Sequence, residues 1–144
     1  MNEENLWGEL PVEEKIETPI SILRTQAVAL NQATKGLLDA RVVQGNEGGE
    51  FILDFRIVAP ALGNYSASIL QVRHPMTLYP LKVIAENLEY AYKEVKNREE
   101  FKDTLKQVLQ SDRVRRTVSG LLAQSHDVAA TAPQTPIRPS MAFS

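Results

Sequence analysis

At Gly36 the spacing of apolar residues changes from about 3.6 to about 2, the step from helix to sheet, and this change most constrains the fold. Before it, Ile20, Leu23, Ala27, Leu30 and Thr34 recur at helical spacing, with Arg24, Asn31, Gln32 and Lys35 elsewhere around the helix. Thr18 can cap this helix, and Pro19 costs nothing in a first turn whose N–H groups have no partner. Gly36 suits the left-handed position after a helix, so the helix is predicted to stop near Lys35.

After Gly36 the alternation continues through four predicted strands. Leu38, Ala40 and Val42 alternate with Asp39, Arg41 and Val43 in the first, and Asn46-Glu47-Gly48-Gly49 reads as a turn. Phe51, Leu53, Phe55 and Ile57 mark the second, which Pro60 and Gly63-Asn64 close. In the third, from Tyr65 to Arg73, apolar residues fall on both faces, which predicts a central strand covered on both sides. His74-Pro75 ends it, and Tyr79-Pro80 leads into a fourth, Leu81 to Ala85. Connections this short predict an antiparallel meander.

Helical spacing then returns. Asn97 and Glu100 have the separation of a capping box before Phe101, Leu105, Val108 and Leu109. Ser111-Asp112 offers a further cap before Val114, Val118, Leu121 and Leu122. Between sheet and helices, Glu86 to Lys96 alternates at Leu88, Tyr90 and Tyr92 like a strand, but its Glu, Ala and Lys content favours helix, the expectation adopted. The fold class is thus α+β: an N-terminal helix, a four-stranded antiparallel meander and C-terminal helices. Residues 18–127 are expected to form one domain. An acidic arm, 1–17, should precede it, and an Ala/Thr/Ser/Pro tail, 128–144, which cannot bury enough to order itself, should follow.

Charge separates the arm from the body. Met1 to Glu17 holds Glu3, Glu4, Glu9, Glu13, Glu14 and Glu17 against Lys15 alone, net −5, while the remaining residues carry net +3. A solvated terminus is the ordinary account of such an arm. Leu6, Trp7 and Leu10 complicate it, because a tryptophan beside two leucines is costly to leave in water, so this patch is expected to dock on its own body or on a partner.

The 144 residues contain no cysteine, which excludes disulfides, thiolate nucleophiles and thiolate metal sites. No apolar run approaches the roughly 18 residues of a membrane span, and the acidic first residues do not read as a signal peptide, so a cytoplasmic location without membrane partners is expected. The glycines fit no phosphate-binding loop, and the histidines, His74 and His126, are isolated; no cofactor is expected. Arg113, Arg115 and Arg116 form a basic cluster that could meet phosphates, but in a chain of pI near 5.7 they read better as a face for an acidic segment or a protein partner, so nucleic acid is not the expected ligand.

Asp39, then Asp54-x-Arg56 on strands after a helix, resembles metal-dependent nucleases of the restriction-enzyme type, and that resemblance implies bound Mg2+; the alternative function is such a nuclease or another hydrolase using Asp39, Asp54 and Glu50. Arg56 stands where a lysine would help activate water, and an arginine stays protonated. The order of elements, with Phe51 to Ile57, Ser68 to His74 and above all Tyr79-Pro80-Leu81-Lys82-Val83, resembles the ubiquitin-conjugating-enzyme-like fold and its RWD relatives. The thioester cysteine, the His-Pro-Asn motif and the second proline pair are missing, so the resemblance implies a non-catalytic member. The reading adopted is a non-enzymatic protein-interaction module, an adaptor, chaperone or inhibitor-like protein. Leu6, Trp7, Leu10 and the three arginines are its candidate contacts, and an open sheet edge offers a route to a homodimer.

Overall fold

A computed structural model describes residues 4–12, 15–86, 88 and 91–131. Glu3, Glu13, Glu14, Tyr90 and the tail from 132 to 144 lie outside the described residues. Helix α1 (Pro19–Ala33) leads into strands β1 (Asp39–Glu47), β2 (Glu50–Ala59), β3 (Tyr65–His74), β4 (Leu81–Ile84) and β5 (Lys93–Val95), then helices α2 (Arg98–Leu109) and α3 (Asp112–Thr131). The strands form one antiparallel meander in the order β1-β2-β3-β4-β5.

Local chemistry fixes the element ends. Thr18 Oγ1 accepts the Ser21 N–H at 3.2 Å, and Lys35 and Gly36 both take left-handed backbone after α1. Gly48 and Gly49 both have positive φ, as a two-residue hairpin turn between right-twisted strands requires. Asn97 Oδ1 accepts the Glu100 N–H at 2.9 Å, while the Glu100 carboxylate reaches back to the Lys96 N–H, one residue before the cap. Ser111 Oγ accepts the Val114 N–H, and α3 then continues to Thr131, taking in the first residues assigned to the tail.

Two sequence expectations are corrected. The sheet has five strands, because Lys93–Val95, in the segment expected to be helical, pairs with β4. Val95 is placed opposite Leu81 and is fully buried, so tertiary burial overrides the helical composition around it. In β3 the apolar residues on both faces signal a bulge, and among the described residues no helix or strand covers the second face. Phe55 pairs with Leu70 but Arg56 with Ser68, so Ile69 is an extra residue and both Ile69 and Leu70 enter the core. Ser66, Ser68, Gln71 and Arg73 take the other face.

The core gathers Leu53, Phe55, Ile57, Leu70, Val72, Leu81, Val83 and Val95 from the sheet, Ile22 and Leu23 from α1, Phe101, Leu105 and Val108 from α2, and Val114 and Leu121 from α3. All three helices therefore bury their apolar stripes against the same side of the sheet.

Candidate interaction surfaces

The arm carries its apolar side chains in water. Asn5 Oδ1 accepts the Trp7 N–H at 2.9 Å and Asn5 Nδ2 donates to the Gly8 carbonyl, a tight turn completed by positive φ at Gly8. Leu6 is 85% exposed, Trp7 79% and Leu10 48%. The arm is anchored at its root, where Glu17 pairs with Arg98 at 3.3 Å and Lys102 at 3.0 Å on the first turns of α2. Beneath this cluster Tyr79 Oη is buried with no hydrogen-bond partner among the described residues. Burial pushes its phenol above the usual tyrosine range, and Arg98 pulls the other way.

The three arginines of α3 part company. Arg113 is half-buried: its guanidinium donates to the carbonyls of Ser68 at 3.3 Å and Ile69 at 3.4 Å, and its Nε lies 3.3 Å from Glu86. Those carbonyls belong to the bulged part of β3, beyond the end of its pairing with β4, so Arg113 closes a strand edge. Arg115 and Arg116 are exposed, and Arg116 borders a groove between α3 and β3. The sequence shows the cluster but not this division of labour, which depends on where β4 stops.

The three acids do not converge. Asp39 pairs in register with Val58, four residues along β2 from Asp54, and Glu50 lies four residues from Asp54 in the other direction; each separation is about 13 Å of strand. Each is engaged locally: Asp39 accepts from Asn31, Glu50 faces Arg73 at 3.7 Å, and Asp54 pairs with Arg56 at 2.8 Å while accepting the Ser68 hydroxyl at 2.6 Å. Among the described residues no group of three metal-ligating side chains comes together. His74 is buried at the end of β3, where its ring stacks on Phe51 and its Nδ1 lies 2.7 Å from the Pro75 carbonyl.

The two sheet edges are unequal. β5 is three residues long and carries Lys93 and Glu94, the guarded kind of edge. β1 spans nine residues and, among the described residues, pairs with β2 alone. No helix among the described residues is long and apolar enough to cross a membrane. No family model, curated protein or solved structure matches this chain.

Proposed function

We propose that this chain is a non-enzymatic protein-interaction module of the cytoplasm, acting as an adaptor, chaperone or inhibitor-like subunit through its N-terminal arm. The observation that carries the reading is the exposure of Leu6 and Trp7 on an arm whose root is fastened by Glu17 to α2. Apolar side chains presented on an anchored strap are the chemistry of recruitment, since their burial by a partner contributes about 25 cal/mol per Å2 of apolar area. The long edge of β1 supports the same reading, and so does the resemblance to non-catalytic RWD-type relatives.

The test compares the full chain with Leu6→Ala/Trp7→Ala in capturing proteins from native extract, followed by reconstitution with the purified partner. Stoichiometric capture by the full chain alone, with a blue shift of Trp7 emission on reconstitution, is the expected result. No stoichiometric partner, together with water-like Trp7 emission in a monomeric protein, would remove the reading.

A further inference from the structure

Strand β3 is unequally partnered. Toward β2 it pairs from Tyr65 to His74, but toward β4 only over Gln71–Arg73; among the described residues no strand lies beside 65–70, and Arg113 takes the Ser68 and Ile69 carbonyls, which leaves 65–67 as the open part of the edge. Helix α3 runs along this gap and leaves a groove of about 610 Å3, lined by Leu62, Tyr65, Ala67, Gly120 and Leu121 with Arg116 at its rim. That volume lies in the range of sites enclosing small organic molecules, ample for an indole. At the far end Arg113 holds the Ser68 and Ile69 carbonyls.

Two details are unexplained by the fold alone. Gly120 sits within α3 with open space where a Cβ would project, although glycine is a poorer helix former than alanine. Tyr65 is 57% exposed at the groove mouth. A groove of this size with Leu62, Ala67 and Leu121 in its wall is a receptor for an inserted aromatic side chain.

Charge and shape select the occupant. Arg116 is the charged group of the groove, whose lining has no carboxylate among the described residues, whereas the arm is net −5 and presents Leu6, Trp7 and Leu10 to solvent rather than to its own body. We propose that the groove between α3 and the free edge of β3 receives the arm of a second copy of this chain, the two copies exchanging arms. The turn from Asn5 to Gly8 holds the indole out from the arm, so Trp7 is the side chain that fills the groove, with Glu9 beside it to meet Arg116. This assignment rests on the interaction-module reading and names its partner.

Sedimentation of the full chain tests it. The protein is expected to dimerise, and Trp7→Ala to weaken the dimer about thirtyfold, as for a central aromatic anchor. Gly120→Leu should weaken it similarly by filling the groove while its melting temperature holds or rises, since leucine is the better helix former. Arg116→Glu should also weaken it, and adding Glu9→Arg should restore it. A chain monomeric at every concentration overturns the proposal, as does a dimer that ignores Gly120→Leu or a monomer whose Trp7 emission is already blue-shifted. In those cases the interaction-module reading stands if a stoichiometric extract partner needs Trp7, and falls if none does.

Discussion

The molecule contains two sets of large apolar side chains with opposite fates. Leu23, Leu53, Val72 and Phe101 are completely buried, whereas Leu6, Trp7 and Val12 are mostly in water. Hydrophobicity does not separate them. The core set recurs at helical or strand spacing, so each element presents a continuous apolar face that another element can cover. The arm set follows no period and includes Pro11, so no regular element collects it into a face. Apolar content alone therefore does not decide burial; a repeating pattern lets many residues be buried together at the cost of ordering only a few elements.

This contrast predicts that core substitutions act on stability and arm substitutions on association. Phe101→Ala, at the centre of the cluster, should lower unfolding free energy by about 3 to 5 kcal/mol in urea titration. A loss below about 1 kcal/mol would mean that α2 is not fixed on the sheet as described.

Arg113→Ala stands between the two classes, removing two long hydrogen bonds and a half-exposed ion pair at the edge of β3. A loss of about 1 kcal/mol is expected, with faster amide exchange in residues 65–70.

Tyr79 should make its mark only in alkali. Its folded-state pKa is raised, so its contribution is complete below about 10, the unfolded value, and is lost as pH rises toward the folded value. Tyr79→Phe should therefore flatten the alkaline limb of the stability–pH curve while changing stability at neutral pH by less than about 1 kcal/mol, because it removes a hydroxyl without a partner among the described residues. An unchanged alkaline limb would show that the phenol is not desolvated.

Measured at concentrations where the chain is monomeric, Trp7→Ala should be the quietest in stability, within about 0.5 kcal/mol, since an exposed side chain has little folded-state contact to lose. A larger loss would place the indole on the chain's own body and erase the contrast between the two sets.

Where local chemistry is strong, the sequence announces the structure. Thr18-Pro19 opens α1, Gly48-Gly49 turns the first hairpin, and Asn97 and Ser111 cap α2 and α3, each by interactions within four residues. β5 was not legible because the alternation around Leu88 and Tyr92 competes with helix-forming composition, and only Leu81 across the ladder turns Val95 into a strand residue. The bulge at Ile69 gives the same pattern of apolar residues on both faces as a doubly covered strand. The arginines of α3 read as one cluster because nothing local tells which of them reaches a strand 44 residues away.

By itself, then, the sequence determined the α+β order of elements, their caps and turns, and the separation of an acidic, apolar-tipped arm from a weakly basic body, because these follow from interactions between near neighbours and from counts of charge. Only the tertiary structure decided that a fifth strand completes the sheet, that β4 stops short and leaves the first residues of β3 without a neighbouring strand among the described residues, and that Arg113 closes one end of that edge while Gly120 leaves space beside the other. Those outcomes depend on which distant residues compete for the same buried space and the same backbone partners, and that competition is settled only when the whole chain packs.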